Sequence, residues 1–118
     1  MYPIVRLYAD ENGDSRFEDF AIELNDAGPI GMLSADLPVQ SIVFREVEPS
    51  YDYNFHTAPR KQYIILIDGS IEIETSLGEK RQFRGGDVLL LEDTTGKGHK
   101  TRNLEHIRRR SIFITLPE

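Results

Sequence analysis

Among the residues of this chain that could do chemistry, His56 and His99 come first. Imidazole exchanges a proton near neutral pH, donates and accepts hydrogen bonds, and ligates metals. From 56 to 69 the chain runs His-Thr-Ala-Pro-Arg-Lys-Gln-Tyr-Ile-Ile-Leu-Ile-Asp-Gly. Read as one extended stretch, it places His56, Ala58, Arg60, Gln62, Ile64 and Leu66 on a shared face, because strand side chains alternate with period 2. A polar end over an apolar floor is the lining expected at the mouth of a barrel. His56, Arg60, Gln62 and His99 are therefore the candidate ligand-binding residues. Gln62 suits orienting a ligand or a histidine, and Arg60 offers a planar fork to an anion or a salt bridge to Glu92 or Asp93. The alternative for both histidines is a hydrogen-bonded place in the core or rim. His106, beside Glu105 in a polar turn, reads as surface.

The elements that must position these residues are short strands, expected over residues 4–8, 17–24, 41–48, 61–68, 70–76, 80–84, 88–91 and 107–116. In 70–76, Ile71 and Ile73 alternate with Glu72 and Glu74, the pattern of a half-exposed antiparallel strand. Residues 41–48 alternate Ile42 and Phe44 with polar groups such as Arg45. The strand over 61–68 is apolar on its second face too, at Tyr63, Ile65 and Ile67, so something must cover that face; a homodimer is the expected cover. Asp68-Gly69 suits a two-residue hairpin turn, and 92–98 reads as a flexible polar loop leading to His99. Tyr51 and Tyr53 are expected to anchor the loop around 49–53, the alternative being that they pack over the pocket mouth, while 30–37 reads equally as a bent strand or a helical turn limited by Pro38. No stretch predicts a long helix. Short strands with glycine turns every eight to twelve residues predict an all-β fold, a small antiparallel β-barrel.

At 118 residues the chain is expected to form one domain, 1–118. Twenty acidic residues against fourteen basic ones give a net charge of −6, which disfavours nucleic acid and anionic membranes as partners but leaves room for a local basic pocket. The absence of cysteine excludes disulfides, thiolate zinc sites and cysteine nucleophiles. With no signal-like leader and no long apolar run, a cytoplasmic location is expected. Three patterns invite a functional reading that their context denies. Asp10–Asp14 lacks the ligand spacing of a calcium loop; Gly96-Lys97-Gly98-His99-Lys100-Thr101 interrupts the order of a phosphate loop and precedes no helix. Arg108-Arg109-Arg110 alternates faces on a strand and reads as a solvated edge.

The order of residues resembles the cupin family, in its small, single-domain, RmlC-like form. The first cupin motif falls on His56, Ala58, Gln62 and Gly69, with Ser50 at its leading glycine; the second falls on Gly86, Thr94, Gly96, His99 and Asn103, with two extra residues after Gly86. This resemblance spans about 41–116 and implies a jelly-roll-like double-stranded β-helix. In metal-binding cupins two histidines, a glutamate and a third histidine hold iron, manganese, nickel or zinc. Carried over, the metal set here is His56, Gln62 and His99, with Ala58 and Gln62 standing where a histidine and the glutamate are usual. Loss of one imidazole and one negative charge weakens such a site.

The expected function is therefore binding of a small polar or anionic ligand in the barrel mouth. The alternative is a cupin enzyme, either metal-dependent, of dioxygenase or isomerase type, or metal-free and epimerase-like with His56 or His99 as base. A regulatory dimer with a vestigial site ranks third.

Overall fold

The structure, a computed structural model, describes residues 1–118. It is built from strands: β1 Tyr2–Ala9, β2 Ser15–Ile22, β3 Asn25–Asp26, β4 Met32–Leu33, β5 Ser41–Val47, β6 Asp52–His56, β7 Gln62–Leu66, β8 Ser70–Thr75, β9 Lys80–Arg84, β10 Val88–Glu92, β11 His99–Asn103 and β12 Arg109–Thr115. The sole helical turn is a 3-10 turn at Gly28–Ile30, at the start of the region 30–37 that could be read two ways and that otherwise holds the short strand β4, and no helix is long and apolar enough to cross a membrane.

Six strands form one sheet in the order β2-β1-β10-β7-β12-β5, and four form a second in the order β6-β11-β8-β9. The sheets face each other over a shared core to which the larger contributes Leu7, Leu66, Leu89 and Leu91 and the smaller Ile71, Ile73 and Phe83. The all-β, barrel-like fold read from the strand pattern is thus observed, antiparallel throughout except where β1 runs parallel to β10. Alternation dictates the facing: in β8, Ile71, Ile73 and Thr75 are buried between half-exposed Ser70, Glu72 and Glu74.

Two local expectations are corrected. The stretch 56–66 is not one strand. Residues 57–61, with Pro59 removing a backbone donor, break it, so His56 ends β6 in the smaller sheet and Gln62 opens β7 in the larger. Asp68-Gly69 is a tight turn, yet β7 and β8 belong to different sheets, so it carries the chain across the barrel rather than closing a hairpin. The outer face of β7 is covered in part by the chain itself: Leu24 and Leu37, from the stretch between β2 and β5, share an apolar recess with Tyr63, Ile65 and Ile114. Further along that face, on the edge strand β5, Ile42 is 55% and Phe44 75% exposed.

Candidate functional site

Between the sheets lies a cavity of about 330 Å³, near the small end of the range for ligand pockets, roughly 300–1,000 Å³. Its floor is Ile64, Leu66, Ile71, Ile73, Leu89 and Leu91. Its polar groups gather at two ends, and the strand register separates them. His99 and Asn103 sit at opposite ends of β11, four residues apart, which at roughly 3.3 Å per residue is about 13 Å.

At one end are the histidines. β6 pairs with β11 so that His56 lies directly opposite His99, and the two rings stand 4.7 Å apart, with Tyr53 4.0 Å beyond His56. Gly98 makes this approach feasible, since a Cβ there would collide with the His56 carbonyl. His99 is buried, and its Nδ1 lies 2.5 Å from Oδ2 of Asp93; Ser15 donates to the same oxygen at 2.8 Å. Asp93 is 0% exposed. Its own backbone carbonyl accepts from Ala58, which ties the 57–61 connection to this carboxylate. His56 places Nδ1 2.8 Å from the Asn54 carbonyl. With both Nδ1 atoms engaged, Nε2 of each ring is the nitrogen left for a ligand. Burial pushes the His56 pKa below its ordinary 6.5; the Asn54 contact opposes this, and the neighbouring His99 adds to it.

The other end is built around Arg109, the largest fully buried side chain of the molecule at 1% exposure. Its Nε donates to Oδ1 of Asn103 at 3.0 Å. Asn103 is fixed in turn by donating to the carbonyls of Glu48 and Pro49 at 3.2 Å and Ile107 at 3.3 Å. Neither Nη1 nor Nη2 of Arg109 has a hydrogen-bond partner in the protein. Burial, and then the nearby Arg45, lower its pKa. Arg45 sits over the Tyr51 ring at 5.0 Å, and Arg109 approaches the same ring at 5.8 Å. Gly69, in a left-handed conformation at φ +71°, leaves room for the arginine stem: a Cβ there would lie 3.0 Å from Arg109 Cδ.

Of the residues read from sequence, His56, Gln62 and His99 line this one cavity, drawn from three strands. Arg60 does not: it is exposed on the 57–61 connection, outside the cavity lining. Its proposed partners are taken, Glu92 by Arg6 and Lys61, and Asp93 by His99. His106 is exposed, as expected. The cavity residues missed are Arg45 and Arg109, together with the role of Asp93 behind His99. The two tyrosines line the cavity rather than only anchoring a loop. The solvated edge expected of Arg108–Arg110 is corrected as well: β12 lies inside its sheet between β7 and β5, Arg108 and Arg110 pair outside with Glu48 and Asp68, and Arg109 points in.

The donor set does not suit a divalent metal. His56, Gln62 and His99 offer two neutral imidazoles and an amide, no group of three His, Cys, Asp or Glu side chains could hold an ion, and the cavity lining has two arginines and no carboxylate. Iron, manganese, nickel and zinc sites of this kind gain affinity from anionic ligands, whereas this wall repels cations.

No family model matches the chain, and no curated protein sequence matches it. Several solved structures are similar. The conserved SPY1581 protein of unknown function from Streptococcus pyogenes aligns at a TM-score of 0.46 and 14% identity over 73% of this chain and 71% of that one. Protein NMB1881 from Neisseria meningitidis aligns at 0.46 and 16% over 70% of this chain and 84% of that one. The capsular polysaccharide assembling protein CapF from Staphylococcus aureus aligns at 0.48 and 13% over 84% of this chain but 30% of its own length. At this level of similarity nothing passes from these proteins to the residues of the cavity.

Proposed function

We propose that the chain is a small, cupin-type protein that binds a small polar or anionic molecule between its sheets. The observation that carries this reading is the convergence of His56, Gln62 and His99 on one cavity with an apolar floor. Strand termini of both sheets supply the polar groups, and Asp93 holds His99 in a fixed orientation. Screening metabolites by thermal shift, with the histidine ring signals followed by NMR, tests it. A ligand that stabilises the protein and moves the His56 and His99 signals but not those of exposed His106 is expected. Stabilisation that survives His99→Gln unchanged argues against the reading.

One observation favours a second reading, a metal-free enzyme. A buried carboxylate at 2.5 Å from Nδ1 fixes the tautomer and orientation of His99 and leaves Nε2 as the nitrogen free to exchange a proton. Deuterium incorporated from solvent into the bound ligand, and lost in His99→Gln, supports it; binding without exchange does not.

The homodimer is part of the same proposal. The exposed Ile42 and Phe44 on edge strand β5 extend the apolar outer face beyond what Leu24 and Leu37 cover. Sedimentation is expected to show a dimer that Phe44→Glu converts to monomer, and a wild-type monomer at micromolar concentration contradicts it.

A further inference from the structure

A buried guanidinium ordinarily has its N–H groups paired, because an unpaired charge out of water is costly. Arg109 departs from this. Asn103 occupies Nε alone, and both terminal nitrogens lie buried without a partner. Six other arginines, Arg6, Arg16, Arg81, Arg102, Arg108 and Arg110, each have a carboxylate within salt-bridge distance. Of the four without one, Arg60 and Arg84 are exposed to water, whereas Arg45 and Arg109 line the cavity. Three separate features hold Arg109 in place: Asn103 on Nε, Gly69 against its stem and the Tyr51 ring beside its guanidinium. The fold thus immobilises the side chain while leaving its two terminal nitrogens without a protein partner.

We propose that Arg109 is the seat of a ligand carboxylate, and that the cavity takes a small monocarboxylic acid whose apolar body lies on the Leu66, Ile71, Ile73 and Leu89 floor and whose far end points to His56 and His99. Two coplanar N–H donors match two carboxylate oxygens in a fork-to-fork pair. The surroundings select this head group over a phosphate. Phosphate sites use backbone N–H cradles or several cations with polar walls, whereas here Arg109 has one further cation, Arg45, and two polar neighbours, Asn103 and Ser111, beside the Tyr51 ring and the apolar floor. Arg45 adds charge without pairing. His99 and Asn103, the residue that holds Arg109, stand about 13 Å apart along β11 by strand rise, so a head group seated on Arg109 leaves the histidines to the rest of the ligand. This inference rests on the binding function proposed above and adds the class of ligand and its orientation.

Three probes sharing one apolar body and differing in head group test it: hexanoate, hexanamide and hexyl phosphate, each titrated against the full chain by calorimetry and by NMR of the histidine rings. Hexanoate is expected to bind, hexanamide at least tenfold more weakly, and hexyl phosphate no better than hexanoate. Arg109→Lys keeps the charge and loses the fork, so hexanoate affinity should fall about tenfold. Arg109→Met should abolish the preference for the acid over the amide, its folding checked by circular dichroism. Equal binding of acid and amide, with the His56 and His99 signals moving, overturns the carboxylate seat and leaves the ligand-binding function standing. Preference for hexyl phosphate overturns the ligand class. Hexanoate affinity unchanged in Arg109→Lys overturns the role of Arg109. No response of those histidines to any of the three overturns the carboxylate seat; the metabolite screen tests the wider function independently.

Discussion

The two ends of the cavity are both buried and polar, but they are satisfied differently. At the histidine end the protein supplies most of its own partners: Asp93 Oδ2 takes both His99 and Ser15, the Asn54 carbonyl holds His56, and only Asp93 Oδ1 is left over. At the arginine end a full positive charge is fixed in position with two nitrogens unpaired. A closed network contributes to stability and presents two preset atoms, Nε2 of His56 and of His99. An open one contributes little to the folded state and keeps its hydrogen-bonding capacity for a ligand.

That contrast breaks most readily at Asp93. Replacement by Ala leaves His99 Nδ1 and Ser15 Oγ buried without an acceptor, and should cost about 3 kcal/mol in urea unfolding. A loss below about 1 kcal/mol would remove the distinction between the ends. Gly69→Ala is next: an alanine at φ +71° is strained and presses on Arg109 Cδ, so a loss of about 1–2 kcal/mol is expected, accompanied by weaker hexanoate binding if the displaced arginine is the seat.

A smaller effect is expected from pH at His56. Because its folded pKa lies below the ordinary 6.5, the unfolded chain takes up the proton first on acidification. This group therefore leaves stability unchanged above that window and lowers it as pH falls below about 6.5, down to the folded value. His56→Asn should flatten the slope of the denaturation midpoint between about pH 7.5 and 5.5; an unchanged slope would show that His56 is not the group responsible. The least effect on stability is expected from Arg109→Met, within about 0.5 kcal/mol of wild type, since an apolar side chain replaces a buried charge that lacks an ion-pair partner. A large loss there would place Arg109 among the structural groups and close the gap between the two ends.

Much of this architecture was legible in the chain. Alternation in β8 and β12, glycines at the turns and the lack of any helical period determined an all-β barrel, and the motif spacing brought His56, Gln62 and His99 forward. Arg60 was misplaced because a period-2 reading holds only while the strand does, and it stops at 57–61.

Arg109 was hidden for a different reason. On β12 the apolar residues Ile112 and Ile114 share the face of Arg110, so an amphipathic reading turns Arg109 to water. The register of β12 between β7 and β5 does the opposite: Ile112 and Ile114 meet the apolar outer face of β7, and Arg109 and Ser111 turn inward. The same inversion on β5 places Phe44 outside and Arg45 in the cavity. Asp93, in a polar run that reads as loop, is buried only because β2 brings Ser15 and β11 brings His99 against it. Sequence by itself determined which residues alternate and where the chain turns. Tertiary structure alone decided which of the two faces is the interior, because that choice belongs to the neighbouring strands rather than to the strand that carries the pattern.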